Sequence, residues 1–114
     1  MLARTHKVKK EDIVGISRLG KSYFNDLFSL KLIKEEKLQK PLFLVIVSKK
    51  NEKTLVGRNT TKRRTYAVIE SAYCQFKAGQ KVIIWPKKSL ATEEFAVIRE
   101  SLLGLLGQAG ALEV

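Results

Sequence analysis

From Ser48 to Tyr66 the chain carries seven Lys or Arg against a single Glu, and the run is bounded on both sides by sequence that must fold. Before it, Leu42–Val47 follows Pro41 and is rich in β-branched and aromatic residues, the composition of a buried strand. After it, apolar residues recur at helical spacing. Charge at a strand-to-helix junction differs from charge on a tail. The two elements have to pack, so the cations are presented from a rigid support.

The rest of the composition narrows the class. A chain of 114 residues with 45% hydrophobic content and a mean hydropathy of -0.11 suits one folded domain with a single core. Its formal net charge of +11 predicts attraction to a polyanion, most often nucleic acid. A single cysteine, Cys74, excludes an internal disulfide. No apolar run approaches the roughly 20 residues of a membrane span. Met1–Lys10 is basic without a following apolar segment, so it reads as an arm and not as a signal peptide. These features predict a cytoplasmic protein with no membrane partner, divided into a basic arm (1–17), one domain (18–107) and a short tail (108–114).

Taken in order, Leu19, Tyr23, Phe24, Leu27 and Phe28 have the spacing of one helix face and predict a first helix there. Leu30–Lys34 and Leu42–Val47 predict two strands joined by a turn, the second buried on both faces. Asn51–Gly57 reads as a loop, and a helix is predicted from about Arg58 to Phe76, closed by Gly79. At about 100° per residue, Thr61, Thr65, Val68, Ile69, Ala72 and Phe76 share a core-facing arc. Arg58, Asn59, Lys62, Arg63 and Tyr66 fall on a separate, mainly cationic arc. Lys81–Trp85 reads as a strand stopped by Pro86, with Lys87 and Lys88 adding charge at its exit. Thr92 is a predicted N-cap, followed by a last helix whose apolar face is Phe95, Ile98, Leu102, Leu105 and Leu106. The whole predicts a small α+β domain: helix, strands, helix, strand, helix, with a central sheet and a basic helix.

Catalytic groups are sparse. The one histidine is His6 in the arm, Cys74 lies near the core arc and reads as a buried thiol, and the acids are scattered without metal-ligand spacing. Phosphate donors are plentiful. Arg58 and Asn59 are predicted at a helix N-terminus, with Lys62 and Arg63 one turn on and Lys49, Lys50 and Lys53 in the preceding loop.

Ser48-Lys49-Lys50, a loop, and then Arg58-Asn59-x-x-Lys62-Arg63 resembles the signature of the protein subunit of bacterial ribonuclease P. Phe24-x-x-Leu27-Phe28 is similar to the pattern of that family's first helix, and Val82–Pro86 with the helix containing Phe95 to its later strand and last helix. Three departures stand out: the third cation of the signature is Tyr66, the loop from Lys50 to Arg58 is one residue too long with Leu55 where a small residue is usual, and the segment from Phe28 to Lys49 is short, which puts one strand of the family's sheet in question. The resemblance implies the family's α+β fold and an endoribonuclease whose RNA subunit, with Mg²⁺, does the chemistry. It implies two partners, the catalytic RNA and precursor tRNA, and no DNA. It assigns Lys49, Lys50, Lys53, Arg58, Asn59, Lys62, Arg63 and Tyr66 to RNA binding, and Tyr23, Phe24 and Phe28 to a cleft for the 5′ leader between first helix and sheet. Tyr66 is equally suited to stacking on a base or to helix packing, and the two phenylalanines to the cleft or to the core. A general RNA-binding or ribosome-associated module with no part in cleavage is the competing reading.

Overall fold

The computed structural model describes residues 13–112, so the first twelve residues of the basic arm, with His6, and the last two of the tail lie outside the described residues. The elements are α1 (Ile13–Leu19), β1 (Lys21–Phe24), β2 (Phe28–Lys34), β3 (Leu42–Val45), α2 (Leu55–Ser71), a single 3-10 turn (Tyr73–Gln75), β4 (Gln80–Pro86) and α3 (Phe95–Gln108). They form a four-stranded sheet in the order β1-β2-β4-β3, with helices on both faces. This is the expected α+β class. No helix among the described residues is long and apolar enough to cross a membrane.

The first helix lies earlier than its spacing predicts, and the segment assigned to it is a hairpin. Leu19–Phe28 holds the end of α1, all of β1 and the start of β2. Gly20 closes α1 by donating its N–H to the Ile16 carbonyl at 2.8 Å. A side chain there would place Cβ 2.6 Å from that oxygen, so glycine is required. The Asn25 side chain then makes the reversal: its Oδ1 accepts from the N–H groups of Leu27 (3.0 Å) and Phe28 (2.8 Å). Its Nδ2 donates to the Ser101 carbonyl at 2.9 Å and so ties the hairpin to α3. The sheet has four strands despite the short segment from Phe28 to Lys49, which itself holds β2 and β3, and α1 takes in residues 13–17, which the sequence assigns to the arm.

β2 and β3 are both strands, but they are not joined as a hairpin. β4 lies between them, antiparallel to β2 and parallel to β3. A parallel neighbour needs a long crossover, and α2 with its preceding loop supplies it. On the face under α2 and α3, Phe28, Leu30 and Leu32 of β2, Phe43 and Val45 of β3, and Val82 and Ile84 of β4 pack against Val68, Ile69, Leu102 and Leu106. On the other face Ile16 of α1 seats on Ile83, with Ile33, Leu42, Leu44, Ile46 and Trp85 partly buried around it. β3 is thus fully buried on the α2 face and only partly buried on the other, short of the two-sided burial its composition predicts.

α2 carries the predicted core arc of Thr61, Thr65, Val68 and Ile69, and Ala72, its C-cap, is also buried. Its start is a full turn earlier than predicted. Thr54 is the N-cap, its hydroxyl accepting from the Gly57 N–H at 3.0 Å, and Leu55 and Val56 point to solvent, so no apolar period marks the first turn. Phe76 is buried but lies beyond the helix, and Cys74, on the 3-10 turn, is exposed and not buried. At α3, Glu94 and not Thr92 occupies the N-cap position, and Phe95 is largely exposed while Ile98, Leu102, Leu105 and Leu106 are buried.

Tyr66 belongs to the packing: it is 1% exposed. It lies about 60° around the helix from Ile69, so its ring reaches past the apolar arc to the sheet edge. There the Val45 N–H donates to the Tyr66 hydroxyl at 3.0 Å. The Ile46 N–H goes to the Ile84 carbonyl, so the alternate amide at Val45 faces the open edge of β3 and has no strand partner on that side. Tyr66 provides one. Tyr66→Phe leaves that buried donor unpaired and should lower stability by about 1–3 kcal/mol, read by urea unfolding. Burial also pushes the phenol above its usual 10.0. The folded state therefore keeps this proton longer than the unfolded state, and stability should fall as pH rises past 10.0 in the wild type more than in Tyr66→Phe.

Candidate nucleic-acid interface

The ends of β1, β3 and β4 and the start of β2 meet at one end of the sheet, and the predicted cations gather there. Lys49 and Lys50 sit in the turn after β3, which is tied to the sheet by the Asn51 Nδ2, donating to the Pro86 carbonyl at 3.1 Å. Lys53 precedes the α2 cap, Arg58, Asn59, Lys62 and Arg63 follow in its second and third turns, and Lys87 and Lys88 leave β4 at the same end. Lys49, Lys50, Lys53, Asn59, Arg63, Lys87 and Lys88 are exposed, and Arg58 and Lys62 are half-buried.

Arg58 and Asn59 are not at the free helix terminus. The Arg58 N–H already donates to the Thr54 carbonyl at 3.0 Å. Its guanidinium Nη1 reaches back to the carbonyls of Glu52 (3.1 Å) and Lys53 (3.0 Å), so Arg58 fixes the loop that carries Lys53. Glu52 sits at the start of α2. Its Oε1 accepts from both the N–H and the hydroxyl of Thr54 at 3.1 Å, and its carboxyl lies over Gly57, where a Cβ would stand 2.3 Å from the Glu52 Cδ. Hydrogen bonds from Ser89 and then Thr54 hold this carboxyl below its usual 4.5.

Arg64 faces inward. Its Nη2 donates to the Glu93 carbonyl, and the Leu90 N–H donates to the Thr61 hydroxyl at 3.0 Å. With Leu90 fully buried, the segment from Lys87 to Glu94 is strapped to α2. Sequence reasoning passed over Arg64 because it sits in a run of cations. Only its angle, on the side of the core arc away from Arg58, sets it apart.

The aromatic assignments divide by sheet face. Phe28 is fully buried on the α2 side, and Tyr23, opposite Leu30, is half-buried on that same side, so neither reaches a cleft under α1. Phe24 is opposite Ser29, which is opposite Trp85, and this row lies on the α1 face. Phe24 is 73% exposed, and the Lys87 Nζ stands 4.8 Å from its ring centroid. Phe24 and Trp85, beside Ile46 and Lys87, therefore form an apolar floor next to the cationic end. Tyr66 is buried and takes no part in it. Trp85 and Lys87 were legible only in part, as a strand residue and as charge at a strand exit.

A cluster of cations, most of them exposed, beside an open aromatic row marks one end of the sheet of this small α+β protein as strongly basic. The profile described as Ribonuclease P matches residues 2–110. The ribonuclease P protein component of Carboxydothermus hydrogenoformans is 33% identical over 99 residues, covering 86% of this chain and 84% of that one. That of a Pseudanabaena species is 24% identical over 104 residues, covering 91% and 90%. Among solved structures, a Staphylococcus aureus RNase P protein mutant superposes with a TM-score of 0.85 at 21% identity, covering 96% of this chain and 92% of that one. The RNase P protein of Thermotoga maritima gives 0.80 at 23%, covering 90% and 96%. These likenesses speak for the fold. The chain belongs to the ribonuclease P protein family, whose setting is tRNA processing.

The Glu52 arrangement is open to test. Glu52→Gln should be less stable than wild type above pH 4.5, with the difference vanishing as pH falls through the lowered carboxyl value and the wild-type group becomes neutral too. Urea titrations across the acid range read this. Gly57→Ala should gain up to about 1 kcal/mol of helix propensity only in a Glu52→Ala background, because with Glu52 present the new Cβ displaces its carboxyl.

Proposed function

We propose that this chain is the noncatalytic RNA-binding subunit of ribonuclease P, binding the catalytic RNA through its basic end and the 5′ leader of precursor tRNA along the adjoining sheet face. The carrying observation is the junction of two surfaces at one end of the sheet: the exposed Phe24 ring under Lys87, and the cations of the turn after β3 and of α2. A single strand needs both. Its unstacked bases lie on aromatic faces with little regard to sequence, and its phosphates collect lysines.

In this reading Lys49, Lys50, Lys53, Lys62, Arg63 and Asn59 contact phosphates, Arg58 shapes their loop, and the leader takes the row containing Phe24 and Trp85. Of the three aromatics expected to line a leader cleft, Phe24 stays in this row and is joined by Trp85, while Tyr23 and Phe28 lie on the other face of the sheet. Bond cleavage and the Mg²⁺ it needs fall to the RNA.

Reconstitution with a bacterial ribonuclease P RNA at low Mg²⁺ tests this directly. The protein should raise cleavage of leader-bearing precursor. Phe24→Ala should weaken binding of leader-bearing precursor by about 1–3 kcal/mol, the worth of one stacked base, and leave mature tRNA unaffected. Lys62→Ala/Arg63→Ala should weaken catalytic-RNA binding and reduce its salt dependence. A folded protein that binds RNAs with and without a 5′ extension equally, and adds nothing to cleavage, is a general RNA-binding module.

A further inference from the structure

The opposite end of the sheet carries a second cationic concavity that the reading above does not use. Two hollows meet there at Lys34. One, about 300 Å³, is lined by Leu19, Lys21, Tyr23 and Leu32 among others, and the other, about 340 Å³, by Leu38, Lys77, Gly79 and Gly110. Both are lined by Lys34, at the end of β2, so the two hollows adjoin across one lysine at this end of the sheet.

Its chemistry is divided between floor and rim. Leu19 is 76% exposed, and Tyr23, turned away from the leader face, offers a partly exposed ring beside it. Lys21, Lys34 and Lys77 are exposed on the rim, against one lining acid, Glu36. The backbone is fixed in the larger hollow. Gly79 has φ +75, and a side chain there would crowd the Glu35 carbonyl at 3.2 Å.

We infer that these adjoining hollows are a second binding site for single-stranded RNA, at the pole opposite the basic helix. An apolar floor with an aromatic ring takes an unstacked base, and lysines spaced along the rim take the phosphates on either side of it. Hollows at the lower limit of small-molecule pockets, roughly 300–1,000 Å³, admit one unpaired unit at a time and not a duplex. The inference rests on the chain being an RNA binder, and it adds a second point of attachment. The strand between the poles has seven residues and spans about 20 Å, so one RNA bound at both would have to pass across the molecule.

The full chain is titrated with a short fluorescein-labelled oligouridylate over a range of salt, and its backbone amides are followed by NMR. In the wild type the amides of Lys21, Tyr23, Lys34, Gly79 and Gly110 should shift on RNA addition. Lys21→Ala/Lys34→Ala/Lys77→Ala should bind more weakly and lose about 2 from the slope of log affinity against log salt, the share of three single-strand phosphate contacts. These lysines are exposed, so the variant should fold. An unchanged slope, or a lost slope without shifts at those amides, overturns the second site. If Lys62→Ala/Arg63→Ala loses slope while the far-pole variant does not, the basic helix remains an RNA surface and only the second site is wrong. If neither variant changes, the RNA-binding reading fails with it.

Discussion

Parallel pairing of β3 with β4 is the constraint on which the remainder of this structure depends. A parallel neighbour cannot be reached by a tight turn, so the chain must leave the end of β3, cross a face of the sheet and re-enter at the start of β4. The basic run falls within that crossover. Its loop is therefore held at the end of β3, where connections between strands and helices commonly collect ligand-binding groups. Thr61, Thr65, Val68 and Ile69 seat the returning helix, and the Tyr66 hydroxyl takes the Val45 amide that pairing with β4 leaves at the edge. A tyrosine at this position secures the helix from beneath.

Rigidity at the cationic end comes from polar contacts more than from apolar ones. Asn51 joins the turn after β3 to the last residue of β4, Thr61 and Arg64 hold the segment after β4 on α2, and Asn25 fastens the β1–β2 turn to α3. Arg63 and Arg64, adjacent in sequence, do opposite work. The first is exposed, while the second donates to a backbone carbonyl and has its Nε buried without a hydrogen-bond partner. Through the Glu93 carbonyl, Arg64 keeps the segment that carries Lys87 and Lys88 against the helix. The Phe24 face and the α2 face consequently keep a fixed relation to each other.

Elements whose burial is set by local periodicity were legible in the sequence. The core arc of α2, most of the arc of α3, and the β3 and β4 strands each carry their signal within a few residues. The front of the chain was not, because two faces of a hairpin imitated one face of a helix. Tyr23 and Phe28 turn to the core side and Phe24 to the open side, yet their spacing with Leu19 and Leu27 fits a helical period. The contrary signal was Asn25-Asp26 with Gly20 before it, turn chemistry that outweighs apolar spacing over so short a run. Sheet order and the depth of Tyr66 were beyond reach for a different reason. Both depend on which strand lies opposite a helix, a long-range fact that no window of sequence contains.

The net charge of +11 is a poor guide to how this surface acts, because the charge is divided. Lys49, Lys50, Lys53, Lys62, Arg63, Lys87 and Lys88 lie at one end, and Lys21, Lys34 and Lys77 at the other, within a body 37 Å long. At physiological ionic strength the screening length is about 8 Å, well short of that span. Each end then presents its own field, and an approaching polyanion meets local lysine spacing instead of a total. The single acid of the central run confirms how local the balance is. Glu52 neutralises no distant cation; it accepts from the N–H and hydroxyl of Thr54 with its carboxyl over Gly57, and so sets a negative charge at the start of α2, where the helix dipole favours one.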